Sequence, residues 1–174
     1  LFMRVVRSPL AFGRLLSIET EEARAAPGVA AVWTREDVAN IGPIDFRQVR
    51  IERLTNYRQF ILANDFVRYV GEPVAVVFAE DAYIAEDIAE LVFPDIEELT
   101  PTSKATQPEG KFDDSLGTEA AVIEKSYGDL EAGFQTAHRI VEMELTVGRQ
   151  SGSPLETRGL VATYNEHSSS LEVY

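Results

Sequence analysis

The sequence predicts an α+β chain of two units, and three stretches carry that reading. Residues 74–79 form a continuous apolar run of strand length, and residues 82–92 follow at once with Ile84, Ile88 and Leu91 on one helical face. From 100 to about 126 the chain turns polar, with Pro101, Pro108 and Gly110 and little periodicity, as in a linker or a long surface connection. Beyond it, residues 140–147 alternate: Val141, Met143, Leu145 and Val147 fall on one face, Glu142, Glu144 and Thr146 on the other. A strand–helix unit thus precedes the connection and a strand-rich unit follows it.

Composition sets the bounds. The 174 residues, 45% of them hydrophobic, suit one domain or one and a half. A folded chain of this size buries roughly 70% of its extended surface, enough for a core without staples. The absence of cysteine excludes disulfides, thiolate metal sites, iron–sulfur ligation and a Cys nucleophile within this chain. No apolar run approaches the roughly 20 residues that span a bilayer. The opening, residues 1–7, is too short and too charged for a secretory signal core, so a cytoplasmic protein is expected. The net charge is −13, and the stretch from Glu72 to Glu131 carries the whole excess, with 16 Asp and Glu against 3 Lys. Such a chain repels phosphate backbones, which argues against nucleic acid and anionic membranes as partners. A solvated surface is the plain reading of the acidic stretch; a docking face for a basic partner is the alternative.

In chain order, residues 1–7 read as a strand already under way at its first residue. Thr20 is placed to cap a short helix over 21–26, with Glu21 and Glu22 favourable to its dipole and Pro27-Gly28 as its stop. Residues 29–34 are β-rich and hold the only tryptophan, Trp33. Thr34-Arg35-Glu36-Asp37 has the form of a capping box opening a second short helix, ended by Gly42-Pro43. Residues 44–66 read as an irregular excursion. Its Arg47, Arg50, Arg53 and Arg58 have no clear period, and no Gly-rich loop supports an anion site there. Residues 66–70 form a strand broken by Gly71-Glu72-Pro73, and Pro73 takes the first position of the next strand, where a missing N–H does least harm. Asp81 caps the helix that follows. In the second unit, 129–137 reads as a short helix. Strands are expected at 140–147, around 155–164, and at 171–174 after a turn through 165–168. That last strand has no turn to close it, so the second unit is expected to be incomplete.

Chemistry is sparse. His138 ends a helix and His167 sits in a polar turn, and neither has a partner at ligand spacing, whereas a zinc site needs three or four convergent ligands. The pairs Glu80-Asp81, Glu86-Asp87, Glu97-Glu98 and Asp113-Asp114 are adjacent in sequence, so their side chains point apart and read as surface charge. No nucleophile elbow, Walker loop or dinucleotide fingerprint occurs. The one unusual polar loop, residues 148–154, either lines a pocket or connects two strands.

Several segments nevertheless resemble a known family. The run Leu1-Phe2-Met3-Arg4-Val5-Val6-Arg7-Ser8-Pro9, then 15–20 and Pro27-Gly28-Val29, is similar to the start of the large subunit of molybdenum hydroxylases. These are the xanthine dehydrogenase, aldehyde oxidase and carbon monoxide dehydrogenase enzymes. Residues 67–77 (Val-Arg-Tyr-Val-Gly-Glu-Pro-Val-Ala-Val-Val) resemble its most recognisable stretch, and 85–92, 128–134 and 149–159 follow in the family's order. The resemblance implies an α/β hammerhead domain over 1–100, a linker over 101–126, and the first helix and strands of a truncated molybdopterin-binding domain over 127–174.

The resemblance further implies a parent enzyme holding a molybdenum–molybdopterin cofactor, in its cytosine dinucleotide form, and partnered by an FAD-binding medium subunit and a 2Fe-2S small subunit. Such enzymes transfer water-derived oxygen to an aldehyde, an N-heterocycle or carbon monoxide. No catalytic, cofactor-binding or metal-ligating residue of the family maps onto this chain, so the cofactor is not expected to bind it. Gln150 and Glu156 match a strand-linking motif and are expected to support the cofactor pocket from behind. The run 151–158 leans toward the carbon monoxide dehydrogenase-like branch. One departure stands out: Phe93-Pro94-Asp95-Ile96 replaces the family's usual Val-Asp-Tyr-like strand, which puts the hammerhead's edge there in doubt. The competing expectations are a stand-alone acidic interaction module and a small hydrolase using a carboxylate pair.

Overall fold

The computed structural model describes residues 1–46, 51–104, 106–148, 150 and 152–174, which divide into two units, Leu1–Lys125 and Ser126–Tyr174. In the first unit the elements are β1 (Phe2–Arg7), β2 (Gly13–Glu19), α1 (Glu21–Ala25), β3 (Val29–Trp33), a 3-10 helix (Glu52–Tyr57), β4 (Phe66–Val67), β5 (Pro73–Ala79), α2 (Ala82–Ala89) and β6 (Phe93–Glu98). They form two antiparallel three-stranded sheets, ordered β1-β5-β3 and β4-β2-β6.

The apolar run of β5 places it at the centre of its sheet. Ala75, Val77 and Ala79 point toward α1 and α2 and form one core with Ala23, Val32, Ala85, Ile88 and Val92. Val74 joins a second cluster with Ala63 and Val67. A continuous run, rather than an alternating one, is needed because this strand buries side chains into two clusters. Asp81 caps α2 as expected, accepting from the N–H groups of Tyr83 and Ile84. The helix ends at Ala89 and not at 92, because Leu91 and Val92 donate to Ile88 and Ala89 in tighter i→i+3 bonds.

Elsewhere local chemistry departs from the sequence expectation. Thr20 precedes α1 but makes no cap bond; its hydroxyl accepts from Arg24 Nε at 3.1 Å instead. The capping box at 34–37 forms by half. Asp37 accepts from the Thr34 N–H at 2.8 Å, but the chain continues in turns, not a helix. The strand expected over 66–70 is only Phe66–Val67, since Gly71 (φ +91°) turns the chain so that its N–H reaches Ser8 O.

The strand β2 escapes the alternation rule because its register shifts between Leu15 and Ser17, so Leu15 and Ile18, three apart, both pack on the second cluster. Gly13 allows β2 and β6 to meet: a Cβ there would lie 2.5 Å from Ile96 Cγ2 and 2.8 Å from Glu97 O. The strand β6 forms in full although Pro94 lies in it, as an edge strand permits.

The second unit has α3 (Leu130–Thr136), capped by Asp129, and a hairpin of β7 (Ala162–Asn165) with β8 (Ser170–Val173). Asn165 Oδ1 organises the turn by accepting from the His167 and Ser168 N–H groups. Residues 140–147 form no strand, and Val141, Met143, Leu145 and Val147 are all exposed. Alternation marks a two-faced segment; a strand exists only where a ladder partner meets it, and none does among the described residues. For the same reason the strand expected over 155–164 is confined to the paired residues from Ala162 onward.

Candidate functional site

Among the described residues of the first unit, the most enclosed charged group lies in the turn between β4 and β5. Glu72 is 4% exposed, and its carboxylate accepts from the Arg68 N–H. The Arg68 guanidinium stands 4.0 Å from Glu72 Oε1. Burial pushes the Glu72 carboxyl above its ordinary value, against the pull of the Arg68 and Tyr69 N–H groups and the Arg68 charge. Burial likewise lowers Arg68. At that separation mutual attraction does not offset the loss of solvent by either partner. Arg68 also lies over the Phe112 ring, 4.2 Å from its centroid, and donates from Nε to Phe112 O at 3.4 Å. The backbone closes the node: Ser8 N–H donates to Glu72 O at 2.8 Å. This is a structural tie with no free nucleophile, acid or base.

Two open cavities flank β2. One, about 610 Å³, runs along Leu16 and Ser17 to Arg24, Asp37 and Asn64; the other, about 520 Å³, is mostly apolar, between Phe12, Phe66, Leu99 and Pro108 with Arg14 and Lys111 at its rim. Arg14 is committed to Asp114 at 2.5 Å and lies 4.6 Å from the Phe66 centroid. Each is a surface recess between elements, and in each an acid and a base are already paired with one another, Arg24 with Asp37 at 2.8 Å in the first and Arg14 with Asp114 in the second.

The residues singled out by sequence are dispersed. Gln150 and Glu156 are both exposed and share no hydrogen bond, and His138 and His167 are exposed in separate segments. Of the adjacent carboxylates, Asp81 caps α2, Glu86 pairs with Arg4 at 2.6 Å, and Asp114 with Arg14. Arg58 pairs with Asp45 at 2.6 Å, whereas Arg47 and Arg50, like Arg149 and Ser151 of the 148–154 loop, lie outside the described residues. Among the described residues no group of three or more His, Cys, Asp or Glu is placed to hold a metal, and no helix is long and apolar enough to cross a membrane. Among the described residues of the second unit, polar side chains meet in local exposed pairs, Ser168 with Ser170 at 2.6 Å and the Tyr174 hydroxyl donating to Glu172 at 3.1 Å, and none is buried as a pterin cradle would require. Sequence reasoning gave no role to Arg68 and Glu72. The available signal was an acid wedged between Gly71 and Pro73 at the mouth of an apolar strand.

Comparison with known proteins decides the family. Residues 1–100 match the model described as aldehyde oxidase and xanthine dehydrogenase, a/b hammerhead domain. The chain belongs to that family. Residues 113–174 match the molybdopterin cofactor-binding domain, so the hammerhead is followed by the start of a second domain of the same enzymes. The hammerhead chain is 37% identical over 92% of its length to the 6-hydroxypseudooxynicotine dehydrogenase complex subunit gamma of Paenarthrobacter nicotinovorans, covering 21% of that protein. It is 35% identical over 91% of its length to the nicotine 6-hydroxylase large subunit of the same organism, covering 20% of it. Quinoline 2-oxidoreductase from Pseudomonas putida 86 matches 98% of this chain at 34% identity with a TM-score of 0.82, over 22% of that protein's length. The chain therefore spans about a fifth of the curated relatives it matches.

Proposed function

We propose that this chain is the N-terminal scaffold of a molybdenum hydroxylase large subunit. In this reading residues 1–100 are the hammerhead proper, 127–174 open the cofactor-binding domain, and catalysis is carried by residues outside the chain. The observation that carries the reading is the similarity to quinoline 2-oxidoreductase, which runs through 98% of the chain at a TM-score of 0.82. A molybdenum–molybdopterin group held by the rest of the large subunit would supply oxygen transfer from water, and 2Fe-2S and FAD partner subunits would take the electrons. This chain's own part is to form the wall on which that site is built. Gln150 and Glu156 support the pocket from behind, and the cofactor carries the cytosine dinucleotide.

Nitrogen heteroaromatics are the favoured substrate class. Three of the relatives above carry nicotine, 6-hydroxypseudooxynicotine or quinoline in their names. Two measurements test the proposal. The chain purified alone from molybdate-fed cells is expected to hold no molybdopterin, and recovery of the bound pterin would overturn the assignment of the site to residues outside it. The complete large subunit, co-expressed with its flavoprotein and iron–sulfur partner subunits, is expected to bind molybdenum and to reduce a dye with quinoline or nicotine. A molybdenum-loaded complex active only on carbon monoxide would overturn the substrate class. An assembled complex without molybdenum would overturn the function.

A further inference from the structure

The sheet β1-β5-β3 has two faces, and α1 and α2 cover one of them. On the other, three strands present side chains in register. Met3 and Val5 stand opposite Phe78 and Val76, and these stand opposite Ala31 and Trp33. All six are apolar. Met3 is 58% exposed and Trp33 45%, and among the described residues none of the six joins either buried cluster. Trp33 lies edge-on to Phe78, with ring centroids 4.7 Å apart. Val74 projects from the same face of β5 and packs with Ala63 and Val67, so the second cluster stops one pleat short of Val76.

An antiparallel sheet that meets water on one face carries polar residues there. The strand β5 does not: its outward positions 74, 76 and 78 are as apolar as its inward ones, the pattern of a strand buried on both sides. Its neighbours follow suit, since neither β1 nor β3 places a charged residue on this face. The face is patterned for a cover, and the described residues of the first unit supply that cover only over Val74.

We propose that this face seats an apolar segment of the same large subunit drawn from outside these 174 residues. The inference rests on reading the chain as part of such a subunit, of which it spans about a fifth. Size selects the occupant. Three strands about 4.8 Å apart and four residues of about 3.3 Å rise give a patch on the order of 200 Å². A second copy or a separate subunit must offset its lost freedom of movement, and stable complexes bury about 800 Å² on each partner. A segment of the same polypeptide is already held nearby and needs far less area. The uncharged face also offers a separate protein nothing to steer its approach or fix its register.

Photo-cross-linking in the complete large subunit, assembled with its partner subunits, identifies the occupant. With Trp33→p-benzoylphenylalanine, and separately with Met3→p-benzoylphenylalanine, illumination is expected to join the large subunit to itself. The product keeps the mass of one chain, and mass spectrometry places the second peptide outside residues 1–174. A product of two large subunits, or of a large subunit with a partner subunit, overturns the proposal. So does a cross-link confined to residues 1–174, or none at either position. Hydroxyl-radical oxidation tests the cover without any substitution: Met3 and Trp33 should react about fivefold more slowly in the complex than in the 174-residue chain, as side chains sealed from water do. Equal rates overturn the proposal. Molybdenum analysis of the same complex keeps the two readings apart. A molybdenum-loaded complex with Trp33 still reactive overturns this inference alone; a self-cross-link in a complex without molybdenum overturns the enzymatic reading and leaves the cover in place.

Discussion

The two units show what hydrophobic patterning does and does not determine. In the first, Val77, Ala75 and Ala79 are fully buried beneath α1 and α2. In the second, Val141, Met143, Leu145 and Val147 repeat just as regularly and stay 71% or more exposed. The pattern marks which face is apolar in both. Only in the first unit does the chain supply the helix and neighbouring strands that cover that face. Burial, not periodicity, is what stabilises a strand, at about 25 cal/mol per Å² of apolar surface removed from water.

The largest test of this contrast truncates one apolar side chain in each unit. Ile88→Ala removes a side chain 3% exposed at the centre of the larger core and should cost about 2–5 kcal/mol. Leu145→Ala removes one that is 79% exposed and should stay within about 0.5 kcal/mol. Urea unfolding followed through Trp33, the one tryptophan, reads the first variant, and amide exchange and far-ultraviolet circular dichroism under urea read the second in its own unit. Equal losses for the two variants would show that the second unit buries its stripe after all.

The sheet contact between β2 and β6 gives the next step down. Gly13→Ala would drive a Cβ into Ile96 and against the Glu97 carbonyl, and backbone does not yield as a side-chain tip does. We expect a loss of about 1–3 kcal/mol by the same unfolding measurement. No change would mean that the strands part easily there. Helix caps give a smaller and more local comparison. Asp81→Ala should cost about 1 kcal/mol of global stability, because α2 presses Ala85 and Ile88 into the core. Asp129→Ala should lower helical circular dichroism with no shift in the Trp33 transition, because α3 has no buried residue.

What could be read from sequence follows the same division. The strand β5, the Asp81 cap and the helix face of Ile88 were legible because run length, cap chemistry and periodicity agree there with burial. The strand β2 was not, because its register shift places Leu15 and Ile18 three apart and hides the period of two. Thr20 and Thr34 looked like caps, but Arg24 claims one hydroxyl and Asp37 shapes the other turn, and such competition is decided by side chains 4 and 13 residues from Arg24. The strand expected at 140–147 was misplaced since pairing depends on a partner that periodicity cannot reveal. At the candidate site, glycine and proline located the Gly71-Glu72-Pro73 break, yet the carboxylate's enclosure beside Arg68 came only from three dimensions.

The smallest expected effect separates a satisfied carboxylate from an enclosed one. The Thr34 N–H holds the Asp37 carboxyl below its ordinary range; burial opposes this, and the Arg24 guanidinium at 2.8 Å reinforces it. A depressed folded-state value contributes stability that is present above the unfolded value, near about 4, and is lost as pH falls through the folded one. Glu72 has the opposite sign: raised by burial, it favours the folded state at low pH and loses that contribution as pH rises. Asp37→Asn leaves Glu72 in place, so the Glu72 contribution cancels when variant and wild type are compared at each pH. The difference between them should be largest near neutrality, below about 1 kcal/mol for so exposed a pair, and should close on acidification toward about pH 3. A gap that widened on acidification would reverse the assigned sign and show that the Thr34 and Arg24 bonds do not outweigh the burial of Asp37.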